Sequence, residues 1–308
     1  MQNQQTLKSA IPCTGVGLHS GAKVSMTLRP AAADTGIVFR RTDVPAEAAE
    51  IPALWNRVVD TKLCTVLGNE HGVTVGTVEH LMAALRGCGI DNCVIELDGP
   101  EIPIMDGSAG PFVFLIESAG IVELAAPRRA IRVLKPVSVE DGEKSAAYHP
   151  APVAGFNFEI DFASAAVSRQ RGSFRLVSGS FKRELAQART FGFLHEVEAL
   201  RKMGLARGGS MENAIVISGD RVLNEGGLRF RDEFVRHKIL DSVGDLYLAG
   251  HPIIGQFTGI RSGHALNNRL LHALFADSAA YRIETLSAES DGRAAGRSGT
   301  TQPVLAAG

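Results

Sequence analysis

The segment Phe234-Val-Arg-His-Lys-Ile-Leu-Asp241 decides the fold once it is set beside Thr77-Val-Glu-His-Leu81. Each places a histidine early in an amphipathic run. Each run is followed by a glycine turn that leads into a further helix, at Asp106-Gly107-Ser108 and at Ser262-Gly263-His264. The two offsets agree to within about one residue over a period of about 157 residues. This spacing points to a duplicated α+β unit, whose halves would present the polar ends of equivalent helices across a shared cleft.

Working outward, Val24, Met26 and Leu28 alternate with Lys23, Ser25, Thr27 and Arg29, which predicts a half-buried strand. Val78, Leu81, Met82 and Leu85 fall at helical spacing, with Thr77 placed to cap the start. Residues 93–97 read as a strand and 112–117 as a helix opened by Pro111. The stretch 124–129 reads as a linker, dividing the chain into an N-terminal domain (1–126) and a C-terminal domain (127–286). Beyond Leu286 the residues are mostly small or polar, so 287–308 is expected to be a disordered tail.

With 45% hydrophobic and 21% charged residues, the chain has the composition of a globular protein. A net charge of -1 supplies no general attraction for nucleic acid or anionic lipid, so any phosphate must be held by a few local cations. Cys13, Cys64, Cys88 and Cys93 are too scattered for a disulfide framework or a zinc knuckle, and read as small core residues. There is neither a signal-like start nor an apolar run of membrane-spanning length. The expectation is a soluble, cytoplasmic monomer.

In His237-Lys-Ile-Leu-Asp241 the imidazole and the carboxylate stand four residues apart, on one helix face, and can grip one metal ion. Asp245 extends that stripe beside an apolar one of Val235, Ile239, Val243 and Leu246. Taken alone, such a stripe is more often a solvated helix face. His80 would complete a His₂Asp set with one open position, and Glu79 would stand beside that position. Taken alone, the pair is better explained by Glu79 complementing the helix dipole and His80 as a satisfied surface residue. His264 enters its helix from a turn, as a proton donor or a polar cap. Thr190 offers a hydroxyl between Arg189 and the aromatics Phe191 and Phe193. No His-Glu-x-x-His, Walker A or complete G-x-G-x-x-G sequence is present; Gly15-Val-Gly-Leu-His19 fails the last pattern at Ser20.

Read together, these segments gain specificity. Thr77-Val-Glu-His-Leu81, Glu101-Ile-Pro-Ile-Met-Asp-Gly-Ser-Ala109, Ala188-Arg-Thr-Phe-Gly-Phe193, Val222-Leu-Asn-Glu225, Phe234-Val-Arg-His-Lys-Ile-Leu-Asp241 and Ser262-Gly-His-Ala-Leu-Asn-Asn268 occur in this order. The chain thereby resembles the UDP-3-O-acyl-N-acetylglucosamine deacetylases of lipid A biosynthesis, from about Thr6 to about Ile283. The resemblance implies two α+β domains, each a sheet packed against two helices, with the active site between them. It implies that His80, His237 and Asp241 bind one zinc ion, with ferrous iron as the alternative metal. Glu79 would be the general base, and His264, oriented by Asp245, the electrostatic partner or general acid. Lys238 and Thr190 would lie at the developing oxyanion, Phe191 against the sugar and Lys144 at the diphosphate. Leu18, Phe193, Val197, Ala206, Met211 and Ala214 would line a passage for the acyl chain.

The implied substrate is a small acylated UDP-sugar. One departure is visible: Asp161-Phe162 is followed by Ala163-Ser164-Ala165, where relatives often carry Asn-His-Pro. The rival readings are an amidase for another acetylated sugar and a catalytically silent nucleotide-sugar or lipid binder.

Overall fold

The structure, a computed structural model, describes residues 2–286, so the expected tail at 287–308 lies outside the described residues. Two five-stranded sheets carry the duplication. In spatial order the first is Ile11–Val16, Lys23–Pro30, Cys93–Leu97, Ile37–Arg41 and Glu50–Pro52. The second is Val137–Asp141, Lys144–His149, Gln256–Ile260, Gly155–Asp161 and Arg169–Arg175. In both, the strand last in sequence sits at the centre, antiparallel to one neighbour and parallel to the other.

Six helices accompany these sheets among the described residues: α1 (Glu79–Cys88), α2 (Gly110–Ala119), α3 (Ser180–Glu184), α4 (Leu194–Lys202), α5 (Glu233–Tyr247) and α6 (His264–Ala276). Each half runs four strands, a helix, the central strand and a second helix, giving α1 and α2 in one and α5 and α6 in the other. Each half also carries an insertion at the same place, before its first long helix. The first insertion is a small sheet of Val58–Asp60, Val66–Gly68 and Thr74–Val75. The second holds α3, α4 and a sheet of Phe191–Phe193, Ile215–Ser218 and Arg221–Val222.

Alternation explains the sheets. Val24, Met26 and Leu28 are fully buried in Lys23–Pro30, while Lys23 and Ser25 face out. Phe39 and Ile95 on the first sheet, Leu81 and Leu85 on α1, Ile239 and Val243 on α5, and Phe158 and Phe257 on the second sheet share one continuous core. α1 and α5 therefore lie in the middle and bury more than one face each. Gly244 makes the α1–α5 crossing close, because a Cβ there would overlap the Glu79 carbonyl oxygen.

Several local expectations change. Thr77 does not cap α1: its φ is +57°, its hydroxyl donates to Glu101 Oε1 at 3.0 Å, and Val78 occupies the cap without a side-chain bond. A buried carboxylate has captured the hydroxyl that a free helix start would have used. The stretch 124–129 is no irregular linker; strand Ile121–Pro127 pairs with Asn3–Leu7, and strand Arg129–Val133 begins two residues later. Cys64 and Cys93 are buried, Cys13 and Cys88 half-buried against the core, and all four are free thiols. No helix among the described residues is long and apolar enough to cross a membrane.

Candidate metal centre and active site

α1 and α5 bring three donors together. His80 lies in the first turn of α1, while His237 and Asp241 stand one turn apart on α5. Asp241 Oδ1 is 3.5 Å from His80 Nε2 and 3.3 Å from His237 Nε2. The two rings meet nearly edge-on, with centroids 5.0 Å apart. All three residues are buried, at 4%, 2% and 4% exposure, which removes the solvated-face reading of the α5 stripe.

The centre fits a tetrahedral metal ion. Two ligands each about 2.0–2.1 Å from such an ion lie about 3.3–3.4 Å apart, which matches both spacings to Asp241. Asp241 Oδ1 is buried and has no hydrogen-bond partner, a costly arrangement for a carboxylate oxygen unless a cation faces it. Protonation favours the same reading. Burial pushes His237 down to about 4, which leaves the imidazole neutral at pH 7. Its Nδ1 lies 3.1 Å from the Ala188 carbonyl, which can only accept, so Nδ1 carries the hydrogen and Nε2 keeps its lone pair. Burial alone would raise the Asp241 carboxyl, but His237 and Lys238 outweigh it and hold it well below the usual carboxylate range. Lys238 Nζ donates to Asp241 Oδ2 at 2.7 Å, leaving Oδ1 for the two imidazoles.

Beside this trio stands a carboxylate–imidazole–carboxylate sandwich. His264, at the start of α6, places Nδ1 2.8 Å from Asp245 Oδ2 and Nε2 3.9 Å from Glu79 Oε1. Burial works against the imidazolium, but the carboxylates of Asp245 and Glu79 prevail and push His264 up to about 9. Glu79 is raised, chiefly by burial, with His264 and His80 opposing. The groups titrate as a coupled set.

A cavity of about 410 Å³ joins these groups to Leu18, Phe162, Thr190, Phe191, Phe193 and Lys238. Thr190 is held by the loop of Gly107 (φ +83°), whose carbonyl accepts its backbone N–H at 2.8 Å. Phe191 packs edge-on against Phe234, with centroids 4.9 Å apart. Asp245 lies behind the cavity wall, 3% exposed. Val197 packs close to Gly192, and Ala206 close to Gly209, which also neighbours Leu18. The Met211 and Ala214 carbonyls accept from Asn224, and Met211 is 55% exposed. Lys144 is exposed at the end of its strand, opposite Asp141, and does not line the cavity.

Sequence reasoning missed several neighbours. Phe162 begins the loop that departs from the relatives' pattern, yet its ring sits 5.7 Å from both Phe191 and Phe193. His19 lines the cavity with both ring nitrogens buried and without a hydrogen-bond partner. Lys62, Leu63 and Cys64 of the first insertion close another side. The failed glycine motif around His19 gave no signal, and the insertion residues belong to no pattern.

Two duplicated α+β domains with a buried His/His/Asp centre, flanked by a carboxylate and a buried imidazole, define a class: hydrolase-like sites built between helices of two related halves. Residues 4–276 match the family described as UDP-3-O-acyl N-acetylglycosamine deacetylase. The chain is 54% identical over 291 residues to the UDP-3-O-acyl-N-acetylglucosamine deacetylase of Vibrio parahaemolyticus serotype O3:K6 (strain RIMD 2210633), covering 94% of this chain and 95% of that one. It is 55% identical over 284 residues to that of Phenylobacterium zucineum (strain HLK1), with 92% and 97% covered. Against the Shewanella sp. (strain W3-18-1) protein of the same name it is 51% identical over 290 residues, with 94% of each covered. The chain belongs to the UDP-3-O-acyl-N-acetylglucosamine deacetylase family.

Proposed function

We propose that the chain is a zinc-dependent amidase that removes the N-acetyl group of a UDP-3-O-acyl-N-acetylglucosamine, giving the free amine and acetate in the committed step of lipid A biosynthesis. The observation that carries this reading is Asp241 Oδ1, buried without a hydrogen-bond partner and faced by two imidazole Nε2 atoms at 3.5 and 3.3 Å. Zinc held by His80, His237 and Asp241 supplies Lewis acidity toward the amide carbonyl and lowers the pKa of water from 15.7 to about 7; ferrous iron suits the same donors.

The chain's own residues divide the remaining work. Glu79, raised by burial, takes the proton of the attacking water. The Thr190 hydroxyl and the Lys238 ammonium face the cavity and stabilise the charge that develops on the carbonyl oxygen. His264, protonated up to about 9 and held at Nδ1 by Asp245, gives the leaving amine its proton from Nε2. Phe191 supports the sugar, Lys144 meets the diphosphate beyond the cavity, and Leu18, Phe193, Val197, Ala206, Met211 and Ala214 guide the acyl chain. The same reading divides the chain into domains near residue 126 and has it act as a cytoplasmic monomer.

The acyl chain sets the test. A dozen buried methylenes contribute at most about 10 kcal/mol, and micromolar affinity needs only about 8. Removing the acyl chain from the UDP-sugar is expected to lower kcat/KM by more than about 10³-fold, mostly through KM. Equal turnover of both compounds would contradict the assigned substrate.

A further inference from the structure

We infer that Thr65, which no pattern in the sequence singles out, is a positioning residue that ties the two carboxylates flanking His264 into one rigid unit. The inference rests on the reading of Glu79 and His264 given above. Thr65 stands immediately before strand Val66–Gly68, is 2% exposed, and spends every polar group it has on the site. Its backbone N–H donates to Glu79 Oε2 at 3.1 Å. Its hydroxyl donates to Asp245 Oδ1 at 2.7 Å. Its carbonyl accepts the backbone N–H of Val78, the cap residue of α1, at 3.5 Å.

The division of Asp245's oxygens gives the hydroxyl its importance. Oδ2 accepts from His264 Nδ1 at 2.8 Å and from Asn267 Nδ2 at 2.9 Å. Thr65 is the donor on Oδ1, and it comes from the other half of the molecule. Without it, Oδ1 is left with no donor, and the carboxylate that holds the imidazole loses one of its three hydrogen bonds. Asn267, buried at 1% exposure, reaches Oδ2 only and leaves Oδ1 to Thr65. Thr65 also ends the Lys62–Cys64 stretch that walls the cavity, so one residue holds the acid side, the base side and the wall in register.

The Thr65→Val variant keeps the shape and the backbone N–H to Glu79 and deletes only the hydroxyl. It is expected to lower kcat about tenfold with KM nearly unchanged, as for loss of one donor to a buried carboxylate. Thr65→Ser, which restores the hydroxyl, should recover most of kcat; Thr65→Ala, free of any steric demand, should behave as Val does. In a His264→Ala background the Thr65→Val loss should shrink to less than twofold, because the hydroxyl acts through that imidazole. A kcat unaffected by Val and Ala, a Ser variant as impaired as Val, or the same tenfold loss without His264 overturns the proposal. Wild-type protein inactive on the acylated UDP-sugar would instead overturn the reading of the site itself.

Discussion

His264 is held between two carboxylates, and its ionisation links the site to pH. Its value in the folded protein, about 9, lies above its ordinary 6.5. A group raised on folding contributes stability that is fully present below about 6.5 and is lost as pH rises through about 9. That contribution is on the order of 3 kcal/mol. Denaturant titrations at pH 6, 7.5 and 9.5 should therefore show a decline that His264→Gln flattens. Under the proposed role of His264 as the acid for the leaving amine, activity should follow with an alkaline limb near 9. A wild-type stability equal at all three pH values would show that the imidazole is not raised. Burial carried most of what the sequence could not say here: a His and two Asp residues on a helix look alike whether solvated or enclosed.

At the level of elements, the site exists because α5 crosses α1 closely. Alanine normally gains about 1 kcal/mol over glycine inside a helix. At Gly244 the added methyl would overlap the Glu79 carbonyl oxygen and approach the Ala83 backbone nitrogen to 3.0 Å. Backbone cannot yield as a side chain can, so an overpacking cost toward the upper end of about 1–3 kcal/mol outweighs that gain. Gly244→Ala is expected to lower the melting temperature by several degrees and to weaken metal retention, because it separates His80 from His237 and Asp241. A variant as stable as wild type, with full metal content, would show that the crossing tolerates more space than the structure indicates. Both helices were legible from their periodicity. The crossing was not, since a glycine in an amphipathic run does not reveal which backbone approaches it.

Across the whole molecule, the duplication was readable only in part, and the insertions explain why. Downstream of them the helices of the two halves keep an offset near 157. The four strands upstream are displaced by only about 120 residues, so no single period spans the chain. The ordered motifs pointed to His80, His237, Asp241, Glu79 and His264, and the structure brings these five together. Thr65, His19 and Phe162 escaped because their contacts join segments far apart in sequence. In the proposed function, His80, His237 and Asp241 hold an ion without which the amide is not cleaved. Metal content measured alongside deacetylation of the acylated UDP-sugar, before and after chelation, tests it most directly. One zinc or iron ion per chain is expected, with loss of turnover when the metal is removed, recovery on adding one equivalent back, and neither metal nor turnover in His237→Ala. Metal-free protein that deacetylates at the full rate would contradict it.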